Sequence, residues 1–110
     1  MDRRLGLRAR TEFAVTTRNG CLESPGRGIE VSPTGMIVDR GRAVQPDSEP
    51  MLLGLELKLP ERVRTLRAVA RPVWTLGSQQ ALRFVKMSDA DRLTLAEHMD
   101  VLRLRGVPMN

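Results

Sequence analysis

Leu53-Gly54-Leu55-Glu56-Leu57-Lys58-Leu59 alternates leucine with small or charged residues without a break. Successive strand side chains point to opposite faces, so this spacing puts four leucines on one side and Glu56 and Lys58 on the other. One dry and one wet face is the pattern of an antiparallel strand lying over a core.

Working outward, the same period recurs in shorter runs. Upstream, Phe13 and Val15 alternate with Glu12, Ala14 and threonines, which predicts a strand over Thr11–Arg18 closed by the Asn19-Gly20 turn. A loop is expected through Ser24-Pro25-Gly26. Ile29 and Val31 then alternate with Gly28 and Glu30, Ser32-Pro33-Thr34-Gly35 turns the chain, and Met36-Ile37-Val38 resumes. A loop over Asp39–Pro50 leads to the leucine strand. Downstream, Leu66–Leu76 reads as a strand that Pro72 bends or places at an edge, Gly77-Ser78 as a turn, and Ala81–Val85 as a short strand. We expect Trp74 to fill the core, because a sheet this small needs one large side chain.

At Ser88 the period changes. Ser88 offers a capping hydroxyl, Asp89 and Asp91 sit in the first turn, and Leu95, Met99 and Leu102 recur at helical spacing. Arg103, Arg105, Gly106 and Pro108 mark the stop, which predicts a helix over Asp89–Arg105. His98, beside Glu97, is expected at the surface or boundary. Short strands with close turns and one terminal helix suggest an all-β unit, a small antiparallel barrel. Its 110 residues suffice for one domain, since two would each be too small to bury a core.

Composition narrows the chemistry. The chain has 18 basic and 13 acidic residues, a net charge of +5, and only Lys58 and Lys86 are lysines. An arginine fork suits phosphate oxygens and guanine edges. A GC-rich genome produces the same bias, so position has to supply the evidence. One cysteine, Cys21, rules out an internal disulfide framework, and one histidine rules out paired-imidazole metal ligation. With no apolar run of about 18 residues and no secretory leader pattern, neither membrane insertion nor export is expected, and the cytoplasm is the expected location. Phe13, Phe84 and Trp74 are the only aromatics, too few for a stacking track, so nucleic acid is an improbable partner. No nucleophile with a base, metal set or phosphate loop is present, and no enzymatic activity or cofactor is expected.

Two motifs remain. Residues 1–10 carry Arg3, Arg4, Arg8 and Arg10 with no periodic pattern, and read as a flexible arm ahead of a barrel over 11–110. Arg4 and Arg8, four apart, can clamp a phosphate or a guanine edge. Glu30-x-Ser32-x-x-Gly35 places a carboxylate, a hydroxyl and a glycine at a strand end. Each alone is an ordinary basic tail or an ordinary turn.

Together, in the order R-x-x-x-R, then E-x-S-x-x-G, the long alternating strand, Val73-Trp74, Arg83-Phe84 and a terminal helix, they resemble the PilZ domain family. The resemblance covers most of the chain. It implies a six-stranded antiparallel β-barrel that binds cyclic di-GMP and passes the signal to a protein target in motility, biofilm or surface-structure control. By the same resemblance, Arg4 and Arg8, assisted by Arg3, would grip guanine edges and phosphates, while Glu30, Ser32 and Gly35 would line the opposite side of the ligand. Glu30 stands where the family has Asp or Asn and reaches one methylene further. The mechanism expected is a clamp, in which the arm orders over a ligand resting on the Glu30–Gly35 rim. The alternative is a PilZ-like protein-interaction module that does not bind the nucleotide.

Overall fold

A computed structural model describes residues 9–44, 51–60 and 63–106. They form strands β1 (Ala9–Asn19), β2 (Leu22–Val31), β3 (Gly35–Asp39), β4 (Leu53–Lys58), β5 (Leu66–Leu76) and β6 (Gln79–Met87), followed by helix α1 (Asp89–Leu104). The strands close into an antiparallel barrel in the order β1-β2-β3-β6-β5-β4, with β4 returning to β1. This is the six-stranded barrel with a C-terminal helix that the sequence reading anticipated.

The leucine strand behaves as its period requires. Leu53, Leu55, Leu57 and, just past the strand, Leu59 are buried, while Gly54, Glu56 and Lys58 face out. They share one core with Phe13, Val15, Val31, Met36, Val38, Leu66, Leu82 and Phe84. The two predicted glycine turns are tight two-residue connections. Asn19 pairs with Leu22 across Gly20, and Leu76 with Gln79 across Gly77, both glycines at φ 61°.

Strand β2 departs from expectation. It begins at Leu22 and runs straight through Ser24-Pro25-Gly26, which pair with Thr17, Thr16 and Val15 of β1. Proline is tolerated because the β2–β3 ladder starts only at Arg27, so among the described residues this stretch of β2 has β1 as its one ladder neighbour. Pro72 has an equivalent position in β5, beyond the last β4 pair at Ala70. A register shift between Gly28 and Glu30 leaves Ile29 as an extra residue, half-buried and outside the core. The Phe13 ring lies over Gly28, where a Cβ would overlap it.

Helix α1 starts as predicted. The Ser88 Oγ accepts from the Asp91 N–H at 3.1 Å. The Asp91 carboxylate turns to the barrel, with Oδ2 accepting from the Arg67 N–H at 3.2 Å and Oδ1 pairing with Arg64 at 3.1 Å. This ties the first helical turn to the start of β5. The buried helix face is Asp91, Leu95, His98, Met99 and Leu102. His98 is therefore in the interior, 4% exposed, and not at the surface. It lies three residues after Leu95 and four before Leu102, on the stripe those leucines define.

Candidate functional site

Arg3, Arg4 and Arg8 lie outside the described residues, as does the rest of the arm up to residue 8. Backbone pairing begins at Ala9. Arg10, assigned to the arm, has its Cα opposite that of Glu30 in the β1–β2 ladder.

The second motif is a strand end and a turn with distinct tasks. Glu30 is half-buried on the outer face of β2, opposite Ile37 of β3. Ser32 follows the last residue of β2, is 3% exposed, and does not share the outer face with Glu30. Its Oγ accepts from the Gly35 N–H at 3.1 Å and the Thr34 N–H at 3.2 Å and donates to the Gly35 carbonyl at 3.3 Å. The Ser32 N–H donates to that same carbonyl at 2.8 Å. The hydroxyl thus holds the turn. Gly35 is required for close approach, because a Cβ there would strike the Leu82 carbonyl oxygen of β6. A left-handed conformation is not the reason: among the described residues the glycines at positive φ are Gly20, Gly41, Gly77 and Gly106.

The register carries the Glu30 row across the barrel. Glu30 is opposite Ile37, Ile37 opposite Ala81, and Ala81 opposite Trp74. Directly opposed residues point to the same side of a sheet. Met36, Val38 and Leu82, on the alternate positions, enter the core, so this row lies on the other side of the sheet, where Ile37 and Ala81 are nonetheless buried. Trp74 is 40% exposed and corrects the core-filling expectation. Its inversion has a local cause. Ala68 and Ala70 are buried, and unbroken alternation would bury residue 74 as well, but a register shift between Pro72 and Trp74 makes Val73 an extra residue. Pro72 was the one sign of it in the sequence, since a residue without an N–H cannot continue a regular ladder. Along the row Glu30 is half-buried, Ile37 and Ala81 are buried, and only the Trp74 indole at the end is exposed.

A separate shallow depression of about 440 Å³ lies at the far end of β3, lined by Pro25, Gly26, Arg27, Asp39, Arg40 and Gly41. Asp39 accepts from the Gly41 N–H at 2.8 Å and pairs with Arg27 at 3.8 Å. The Gly41 N–H first, then the Ser78 side chain and the Arg27 charge, hold its carboxyl below the ordinary value of 3.8. Arg40 donates to the buried Gln80 Oε1 at 2.7 Å. Glu30, Ser32 and Gly35 do not line it. No group of three or more His, Cys, Asp or Glu that could hold a metal exists among the described residues, and none of their helices is long and apolar enough to cross a membrane.

No protein-family model and no curated protein matches the chain by sequence. Solved structures match it by shape. An inhibitor of motility from Bacillus subtilis (MotI/DgrA) superposes with TM-score 0.78 at 17% identity, over 96% of this chain and 53% of that one. This chain thus spans about half the length of that neighbour. The PilZ domain of YcgR from Escherichia coli, solved with c-di-GMP, gives 0.76 at 15% identity over 96% and 95%. The PilZ domain of CeSA from a cellulose-synthesizing bacterium gives 0.64 at 13% over 87% and 97%.

Proposed function

Because the chain is folded as a PilZ-like domain, we propose that it is a non-catalytic cyclic di-GMP receptor or adaptor that couples the nucleotide to a protein target in the cytoplasm. The observation that carries this reading is the row from Glu30 to Trp74. A purine needs a flat apolar surface and an edge partner, and the row has an exposed indole at one end and a half-buried carboxylate at the other. Motility, biofilm or surface-structure control is the proposed output, with the target unidentified.

The proposed mechanism is the arm-to-barrel clamp. The ligand rests on the outer face with Glu30 accepting guanine N–H donors, and Arg4 and Arg8, assisted by Arg3, close over its phosphates. In this scheme Ser32 and Gly35 act by setting the rim. The turn that Ser32 ties and the close β3–β6 contact that Gly35 permits fix the height of Glu30 beside Ile37. Ordering the arm changes the surface offered to a partner, so binding alone can transmit the signal.

A second reading, a PilZ-like interaction module that ignores the nucleotide, draws support from Ser32, whose hydroxyl is engaged within its own turn. Calorimetric titration of cyclic di-GMP separates the two, with GTP as control and an Arg4→Ala/Arg8→Ala variant beside the parent. Saturable binding that the variant loses supports the receptor. Absence of heat at high micromolar nucleotide overturns it in favour of the interaction module.

A further inference from the structure

Next to the Glu30 row lies a second one. Gly35 of β3 is opposite Arg83 of β6, and Arg83 is opposite Arg71 of β5. Ala70 and Phe84 enter the core, so Arg71 and Arg83 stand side by side on the outer face, both exposed. Directly opposed Cβ atoms in an antiparallel pair are about 5 Å apart, and like charges there destabilise the sheet. Neither arginine has an acidic partner among the described residues, whereas Arg18, Arg27, Arg64, Arg67 and Arg103 all pair with carboxylates.

The pair sits between two irregularities. Register shifts between Val69 and Ala70 and between Pro72 and Trp74 flank it, with Val85 and Val73 as the extra residues. Bulges re-aim side chains, and the second one turns Trp74 to the same side, opposite Ala81, which is two residues or about 7 Å along β6 from Arg83. On the other side Gly35 adds no side chain to cover Arg83.

We infer that Arg71 and Arg83 form a phosphate-binding pair for the nucleotide, outside both sequence motifs. An unneutralised pair of guanidinium forks beside an exposed indole matches a phosphodiester attached to a stacked base. The bound oxygens supply the counter-charge that no described carboxylate supplies. This inference rests on the receptor reading, and the experiment keeps the two apart.

Arg71→Gln/Arg83→Gln removes two like charges from an exposed face, so the variant is expected to fold with an unchanged or higher melting temperature. Parent and variant are melted with inorganic pyrophosphate and with chloride at equal ionic strength, and both are titrated with cyclic di-GMP. Expected are a pyrophosphate-dependent rise of about 2 °C or more in the parent only, and an affinity for cyclic di-GMP at least about tenfold weaker in the variant. Equal pyrophosphate shifts overturn the pair as an anion site. A cyclic di-GMP affinity unchanged in the variant overturns it as part of the nucleotide site and leaves the receptor standing. A parent that takes up pyrophosphate through these arginines but no cyclic di-GMP supports the anion site and overturns the receptor.

Discussion

Replacing Gly35 with alanine tests whether this glycine serves the sheet or the ligand directly. The new Cβ would run into the Leu82 carbonyl oxygen and come within 3.3 Å of the Arg83 Cα, both backbone, so no rotamer change can relieve it. Strands β3 and β6 must separate where the Phe84 N–H donates to the Thr34 carbonyl at 2.8 Å. Overpacking of this kind costs about 1–3 kcal/mol, and the weakened hydrogen bond adds about 1 kcal/mol. For 110 residues, an unfolding entropy of about 2.1 cal/mol/K per residue converts each kcal/mol to about 4 °C, so the melting temperature should fall by about 9–17 °C. Gly20→Ala is the control. It has open space around it and a φ of 61°, and its cost is conformational alone, about 1–2 kcal/mol or about 4–9 °C. Thermal melts by circular dichroism read both. If Gly35→Ala melts within about 3 °C of the parent, the close-approach argument fails. If it keeps its stability yet loses cyclic di-GMP, the glycine serves the ligand.

Trp74→Ala should weaken cyclic di-GMP binding by about five- to a hundredfold, the loss of one base–aromatic stack, while Trp74→Phe keeps most of it; calorimetry decides, and equal affinity in all three proteins removes the indole from the site. Asp91→Ala deprives the Arg67 N–H and Arg64 of their partner and should destabilise the protein by about 1.5–3 kcal/mol in urea melts, with Arg64→Ala costing much less because Arg64 is largely exposed. Asp39 has its folded pKa below 3.8, so its contribution is complete above that value and is lost as pH falls through the folded pKa. Asp39→Asn should therefore flatten the acid limb of the stability curve and leave the neutral region sloping as before; an unaltered acid limb would contradict the assignment.

The fold was legible because its signals are periodic. The four leucines of β4, the Asn19-Gly20 and Gly77-Ser78 turns and the Ser88 cap each state their geometry within a few residues. What escaped was every feature that depends on a ladder neighbour. Pro25 looks like a loop residue until β2 is seen to lack a β3 partner there, and Trp74 looks like core filling until Val73 is counted as an extra residue. His98 shares the helical spacing of the leucines and is buried with them, which its neighbour Glu97 does not signal. The motif residues were locatable, yet their tasks were not. That Ser32 spends its hydroxyl on its own turn, and that Gly35 yields to a carbonyl of β6, are facts about neighbours distant in sequence. The Arg71–Arg83 pairing likewise needs the register, which two bulges shift.

The two prolines bear on how the molecule behaves among its own copies. Where β2 outruns β3, and where β5 outruns β4, each strand has a side with no ladder neighbour among the described residues, the kind of template on which sheets of separate molecules join. Pro25 lies in the first overhang and Pro72 in the second. A proline has no N–H to donate, so each overhang carries one backbone donor fewer. Strand-to-strand joining is thus hindered at these two stretches.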